Sequence, residues 1–125
     1  MSALGWISFL LAAGAGAVGR FLLSGAIQRR VGSVHPWGAF TVNASGCLAA
    51  GVVAGVVLGQ PDAPEWATVV AIGGLGSFTT FSTLAFEAVR LFEEGERRVA
   101  VLDVGGTMLA GAAGAAIGVA VGSAW

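Results

Sequence analysis

The sequence predicts an all-α membrane protein with four transmembrane helices, the third of which is broken. Of the 125 residues, 56% are hydrophobic and only 10% are charged, whereas ordinary soluble domains carry about 25% charged residues. Four apolar runs each reach the roughly 20 residues that a membrane helix needs. The third run is interrupted by a cluster of glycine and hydroxyl residues. Because no linker is long enough to separate domains, residues 1–125 are expected to form a single membrane domain.

The four predicted spans are joined by short connections that hold most of the charges and all three prolines. The spans cover about residues 4–27, 37–59, 66–92 and 99–124. All four tryptophans lie near the predicted span ends, as in the aromatic belts at membrane interfaces; they are Trp6, Trp37, Trp66 and Trp125.

The arginines predict the orientation in the membrane. The first and third connections hold Arg29, Arg30, Arg97 and Arg98, while the second connection and both termini hold no basic residue. The positive-inside rule then places these two connections in the cytoplasm and both termini outside.

Charge and motifs exclude several function classes. A net charge of −1 without a basic patch excludes a nucleic-acid partner. Cys47 is the only cysteine and His35 the only histidine, so neither a disulfide nor a histidine–cysteine metal centre is expected. No grouping of a nucleophile, a base and an acid indicates an enzyme.

Small residues recur at every fourth position in two spans, a pattern that lets membrane helices approach closely. The stripe in the second span consists of Asn43, Cys47, Gly51, Gly55 and Gly59, and the stripe in the fourth of Gly106, Ala110, Gly114, Gly118 and Gly122. A G-x-G-x-x-G pattern at residues 14–19 lies inside an apolar span without a preceding strand, so it also indicates packing rather than a dinucleotide site.

The most informative segment is GGLGSFTTFSTL at residues 73–84, in the middle of the third span. Glycines and hydroxyl residues make a poor continuous helix. Unwound backbone at that depth is tolerated only when it is buried in protein or lines a watery cavity, and discontinuous helices build ion sites in transporters. The alternative is that the hydroxyls bond to their own helix and only bend it.

Further polar groups lie inside the spans. Asn43 has an amide that can donate to an anion or form an interhelical hydrogen bond. Arg20 can concentrate anions at a pore mouth or extend to the interface beside Arg29. Glu87 and Arg90 are spaced to pair on one helix, and Asp103 lies within reach of the headgroups.

These residues resemble the Fluc/CrcB family of fluoride channels, over all four spans in order. The most specific match is GSFTTFST at residues 76–83 together with Glu87. Weaker matches are the segment from Gly14 to Phe21, which contains Arg20, and the segment from Gly38 to Gly46, which contains Val42 and Asn43.

The resemblance implies an antiparallel dimer in the inner (plasma) membrane, with two narrow pores that pass fluoride passively out of the cell. Phe81 would line the pore and Asn43 would donate to the ion. Polar contacts would come from Thr80, Ser82, Thr83 and Thr107, with Arg20 at the mouth. Backbone carbonyls of Gly76 and Thr79 from both subunits would hold a structural Na⁺ at the dimer centre.

Three features depart from the family pattern. Leu84 stands where a second pore phenylalanine is usual, GAFT at residues 38–41 replaces the usual Gly-Thr-Leu, and the arginine bias is strong for a dual-topology homodimer. They favour a heterodimer with a second, oppositely inserted homologous subunit over a homodimer.

Two other functions fit four short spans. A small multidrug-resistance-type cation/proton antiporter needs a membrane-embedded carboxylate, but the first span carries Arg20 and no acid. A non-conducting membrane subunit would not need the hydroxyl cluster.

Overall fold

The computed structural model describes residues 1–58, 60, 62 and 64–124, and this part of the chain contains helices and no strand. Four helical segments are long and apolar enough to cross a membrane, as predicted. They are formed by α1 (Ala3–Val31), α2 (Trp37–Val57), a composite third span (Glu65–Glu93) and α6 (Arg97–Ser123). Gly59, the predicted end of the second span and of its stripe, and Trp125 lie outside the described residues.

Helix α1 is longer than the sequence indicates. It begins after Ser2, whose hydroxyl accepts a hydrogen bond from the N–H of Gly5, and it ends at Gly32, where φ is 61°. At 1.5 Å per residue, its 29 residues span about 44 Å, more than the hydrocarbon core of about 30 Å. Arg29 and Arg30 therefore belong to its last turn, where positive charge suits the helix dipole, and not to the connection.

The side chain of Gln28 organises the connection from α1 to α2. Its Nε2 donates to the carbonyls of Ser33 at 2.8 Å and His35 at 3.2 Å. Its Oε1 accepts from the N–H of Gly38 at 3.0 Å. This one amide thus satisfies an unpaired donor in the first turn of α2 and fixes the angle between the two helices.

The third span is assembled from several short pieces. It starts as α3 (Glu65–Thr68), continues as a π-helical segment π1 (Val69–Leu75), and returns to α geometry in α4 (Gly76–Phe78). Thr79 and Thr80 then adopt extended conformations, with φ of −84° and −153°, before α5 (Phe81–Glu93) begins. The predicted break is present, but Gly73 and Gly74 do not unwind the helix: they lie in π1, and the backbone leaves helical geometry only at the two threonines.

The two predicted stripes of small residues meet where α2 packs against α6, the most extensive helix pair. A Cβ at Gly118 would collide with the backbone of Leu48 and Val52, and a Cβ at Gly51 would collide with the carbonyl of Ala115. Packing of backbone against backbone is the contact that small-xxx-small patterns allow in lipid. The interpretation is thus confirmed for the stripes from Gly51 and from Gly114 onward, whereas a Cβ at Gly106 would meet nothing within 4 Å.

Helix α1 packs against π1 in the same way. A Cβ at Gly16 would overlap the carbonyl of Gly74 and the hydroxyl of Ser77. The hydroxyl of Ser77 lies 2.7 Å from the carbonyl oxygen of Ala13. The middle glycine of the G-x-G-x-x-G pattern thus brings α1 onto the irregular half of the third span, next to the break.

Candidate functional site

The break in the third span is held by a side chain from α2. The amide oxygen of Asn43 accepts from the N–H of Thr80 at 2.8 Å, and its amide nitrogen donates to the carbonyl of Thr80 at 3.2 Å. Asn43 is only 7% exposed. Both backbone polar groups of Thr80 are thereby paired with one side chain of α2.

The hydroxyl groups of the polar segment fall into two sets. Ser77 donates to backbone carbonyls, with Ala13 the nearest, and Thr79 donates to the carbonyl of Leu75 at 3.1 Å. These two hydroxyls thus form hydrogen bonds with the protein's own backbone, which is the alternative considered for the polar segment above. The hydroxyl of Thr80 instead accepts from the N–H of Thr83 at 3.4 Å and lies 3.2 Å from the hydroxyl of Ser82.

One face of the break borders a cavity of about 430 Å³, which we call the Phe81 groove. It contains most of the predicted site residues from three different spans. Its lining consists of Asn43, Cys47, Gly76, Thr79, Thr80, Phe81, Leu84, Thr107, Met108, Gly111 and Ala112. The side chain of Phe81 is 73% exposed, whereas that of Leu84 is 4% exposed. The aromatic ring of Phe81 is therefore exposed at the groove, whereas Leu84 is buried in the bundle.

A second cavity of about 370 Å³, the Arg20 pocket, lies between α1, α2 and the start of α5. Its polar lining comes from Arg20, Ser24, Gln28, Thr80 and Thr83. Thr80 also lines the Phe81 groove, so both cavities border the break and share this one residue. The pocket thus places one guanidinium group among several polar side chains.

Ser82 lines neither of these two cavities. It is exposed on the first turn of α5 and contacts the site through the hydroxyl of Thr80. Eight of the nine predicted site residues thus line the groove or the pocket, and Ser82 lies beside them.

Two backbone carbonyls at the break lose their helical partners. In a continuous helix the carbonyl of Gly76 would accept from the N–H of Thr80, but that N–H binds Asn43. Likewise, the carbonyl of Thr79 would accept from the N–H of Thr83, which binds the hydroxyl of Thr80. These oxygens belong to the two residues predicted to bind a cation.

Two acidic side chains on the arginine-rich side point at least partly into the bundle: Asp103 is buried and Glu87 is half-buried. Asp103 is 1% exposed; its Oδ1 accepts from Thr107 at 3.4 Å and lies 3.8 Å from Nε2 of His35. Helix α6 thus turns the side chain of Asp103 into the bundle, toward the connection that carries His35. The expected pairing of Glu87 with Arg90 is absent: Arg90 contacts Glu94 instead, at 3.9 Å, and within the described residues Oε2 of Glu87 is buried without a hydrogen-bond partner.

Comparison with known proteins identifies the family. Residues 7–119 match the family model described as "CrcB-like protein, Camphor Resistance (CrcB)". The chain belongs to the CrcB family.

Several CrcB relatives are similar along most of their length. A "Fluoride-specific ion channel FluC 1" from Frankia casuarinae is 38% identical over 122 residues, covering 93% of this chain and 94% of the relative. A "Fluoride-specific ion channel FluC" from Maridesulfovibrio salexigens is 40% identical over 111 residues, 86% of each protein. One from Rubrobacter xylanophilus is 43% identical over 102 residues, covering 82% of this chain and 80% of the relative. The resemblance drawn from the polar segment is thus confirmed at the level of the family.

Three residues with a hydroxyl, amide or thiol side chain line the cavities of this CrcB protein but were not predicted from the sequence as site residues. Ser24 and Gln28 line the Arg20 pocket and follow Arg20 at intervals of four, on the same helical face. Cys47 was interpreted as an inert packing residue, yet it lines the Phe81 groove four residues after Asn43. In both cases the spacing of four residues from a predicted site residue, Arg20 or Asn43, could have indicated these positions. The reason is that positions i and i+4 share one face of a helix.

Proposed function

We propose that this chain forms a passive, fluoride-selective ion channel and that the anion passes the break in the third span through the Phe81 groove and the Arg20 pocket. The observation that carries the proposal is the extended Thr79–Thr80 segment inside a membrane span, bordered by two cavities whose linings include hydroxyl and amide side chains. Membership of the CrcB family, with relatives named fluoride-specific ion channels, identifies the ion. The chain is a multi-pass membrane protein and a channel rather than an enzyme.

The chemistry of the lining suits a small, strongly hydrated anion. Fluoride accepts hydrogen bonds, and side-chain hydroxyls and amides supply donors that can replace its water. Thr80, Thr83 and Thr107 line the cavities, and Ser82 lies beside Thr80. Asn43 faces the groove from α2. A lining with many neutral donors and a single guanidinium group, that of Arg20, binds an anion while still allowing it to leave.

Phe81 contributes the aromatic edge of the pathway. The edge of an aromatic ring carries partial positive charge, and the exposed ring of Phe81 extends from the end of the break. An anion beside that edge gains attraction without meeting a fixed charge. Because Leu84 stands at the position of the second phenylalanine, this subunit offers one aromatic ring where the family pattern has two.

The pathway is completed by a second subunit in an antiparallel arrangement, which gives two pores per dimer. The exposed Phe81 ring and the open groove in a single chain support this assembly. The arginine bias and Leu84 support a heterodimer with a second homologous subunit over a homodimer. The arginine-rich side faces the cytoplasm. Fluoride that leaves the cell therefore enters the pathway at the end of the bundle that carries Arg29 and Arg30 and exits at the opposite end.

A structural Na⁺ at the dimer centre is compatible with the break. The carbonyls of Gly76 and Thr79 have lost their helical donors, and released main-chain oxygens are suitable ligands for a hard cation. Both residues line the open groove, so a facing copy would supply further oxygens. A cation held there offsets repulsion between facing helix ends and links the two subunits.

Fluoride efflux from proteoliposomes tests the proposal. Vesicles loaded with potassium fluoride and containing this chain are expected to release fluoride when valinomycin carries the potassium, while vesicles loaded with potassium chloride retain chloride. Selective flux with this chain alone would support the homodimer, and flux only after reconstitution with a second homologue would support the heterodimer. Absence of fluoride flux in both preparations, or proton-coupled cation uptake, would refute the channel.

A further inference from the structure

The two hydrogen bonds between Asn43 and Thr80 connect α2 to the break in a way that a simple interhelical contact would not. One planar amide donates to the carbonyl and accepts from the N–H of the same residue. This pairing uses one of the two lone pairs of the amide oxygen and one of the two amide hydrogens of Asn43. Half of the hydrogen-bonding capacity of this side chain is therefore used by the protein itself.

The pairing compensates for a large cost. Two consecutive residues in extended conformation interrupt the helical hydrogen bonds of the third span, and an unsatisfied backbone group in a membrane costs several kcal/mol. Because Asn43 satisfies both groups of Thr80, the extended conformation becomes stable at that depth. Without Asn43, the segment would lower its free energy by closing into a continuous helix, because the helix would restore the missing backbone hydrogen bonds.

The conformation of Thr80 determines where Phe81 lies. Thr80 is the N-cap of α5, and its hydroxyl accepts from the N–H of Thr83. Phe81 is the first residue of that helix, and 73% of its side chain is exposed. Since the ring has so little packing of its own, its position follows from the backbone direction that Thr80 imposes.

Helix α2 is shaped to accept the break at this level. One turn after Asn43, Gly46 leaves the space that the methyl group of Thr79 and the ring of Phe78 occupy, and a Cβ there would collide with that methyl group. The close approach brings the amide of Asn43 within reach of Thr80. Aspartate lacks the donor and serine has only one polar atom, so neither reproduces both bonds.

We infer that Asn43 is a positioning residue that acts through Thr80: it holds the break extended and thereby places Phe81 at the pore. This inference rests on the proposed channel function and adds to it how the pore is held open. It differs from a role as an ion ligand alone, in which removal of the Thr80 bond would leave the flux unchanged.

An amide-to-ester substitution at residue 80 separates the two roles. Incorporation of the α-hydroxy acid analogue of threonine replaces the N–H of Thr80 with oxygen and leaves Asn43 intact. Because the ester also weakens the carbonyl of Thr79, a proposed Na⁺ ligand, the loss is assigned to the Asn43 bond by combining the ester with Asn43→Ala. If Asn43 positions Phe81, fluoride flux through proteoliposomes is expected to fall by about tenfold, the effect of one lost hydrogen bond of ordinary net strength. In the native chain, Asn43→Ala is expected to lower flux at least as much as the ester does. In the chain that already carries the ester, Asn43→Ala is expected to lower flux little further.

The control is an ester at Ala113, which removes one helical N–H from the middle of α6, away from the break. Flux of this control is expected to stay within about twofold of the native chain. If the Thr80 ester conducts like this control while Asn43→Ala does not conduct, Asn43 acts as a ligand and the inference is wrong.

Hydrogen exchange tests the same bond without relying on conduction. In the native chain the amide of Thr80 is expected to exchange at least about tenfold more slowly than in Asn43→Ala, while amides of α6 exchange equally in both. Equal exchange at Thr80 would overturn the inference even if the channel conducts. Slow exchange in a protein that releases no fluoride would leave the Asn43–Thr80 bond established and refute the channel function instead.

Discussion

Phe81 is the residue whose chemistry is hardest to replace in the proposed pathway. Replacement with isoleucine retains an apolar side chain but removes the positive ring edge. We expect Phe81→Ile to lower fluoride flux by about fivefold or more, since an aromatic interaction of about 1 kcal/mol corresponds to that factor. Flux is measured by a fluoride electrode, and dimer assembly by cross-linking.

Phe86 provides the matched control for this substitution. It lies on the same helix, is 69% exposed, and lines neither the Phe81 groove nor the Arg20 pocket. Phe86→Ile is expected to conduct like the native chain. If both variants conduct equally well, Phe81 does not belong to the pore.

Cys47 gives an independent test of the groove, because it is the only cysteine and it lines that cavity. An anionic methanethiosulfonate reagent should attach a bulky charged group to its thiol and reduce fluoride flux. The ratio of flux after and before treatment is expected to fall severalfold in the native chain and to remain unchanged in Cys47→Ser. Full labelling of Cys47, checked by mass spectrometry, with undiminished flux would place the pathway elsewhere.

The sequence identified the polar residues by type, but it did not establish what each one binds. Ser77 and Thr83 are both hydroxyl residues of one segment, yet Ser77 bonds to the backbone of α1 and Thr83 lines a cavity. That difference depends on which way the backbone turns at Thr79 and Thr80. Sequence spacing cannot give this direction, because an extended residue ends the helical periodicity.

At the level of the elements, the small-residue stripes were predictable since they follow strict helical spacing. Their consequence for stability is tested at Gly118, where a methyl group would collide with the backbone of α2. We expect Gly118→Ala to destabilise the protein by about 1–3 kcal/mol, the usual cost of overpacking. Thermal unfolding in detergent measures this change as a lower melting temperature.

Gly105 on the same helix is the matched control, because a Cβ there meets nothing within 4 Å. In a helix interior, alanine is favoured over glycine by about 0.5–1 kcal/mol. Gly105→Ala is therefore expected to leave the melting temperature unchanged or to raise it. A Gly118→Ala variant as stable as Gly105→Ala would contradict the close packing of α2 on α6.

The third span shows the limit of prediction for single elements. Glycines and hydroxyl residues indicated a break within residues 73–84, and the structure has one. Its exact place depended on partners from other helices: α1 packs on π1 through Gly16, and Asn43 pairs with Thr80. Helical geometry thus persists through the glycines, while the threonines leave it where a side chain from α2 can satisfy them.

For the whole molecule, the arginine distribution predicts a single orientation in the membrane. An accessibility test uses Ser2→Cys and, separately, Ser33→Cys, each in a Cys47→Ser background, with an impermeant maleimide applied to intact cells. We expect nearly complete labelling at residue 2 and almost none at residue 33, both of which are exposed. A dual-topology homodimer would instead label both positions to about half.

The sequence alone determined the membrane class, the four spans, the close packing of two of them and the family resemblance. Each of these follows from composition or from a short, regular period, which a local stretch of chain contains in full. Only the tertiary structure decided which polar groups come together: Asn43 with Thr80, His35 with Asp103, and Arg20 and Thr83 in the lining of one pocket. Those partners are distant in sequence, and their meeting depends on how whole helices rotate and approach, which is set by the sum of many backbone contacts in the bundle.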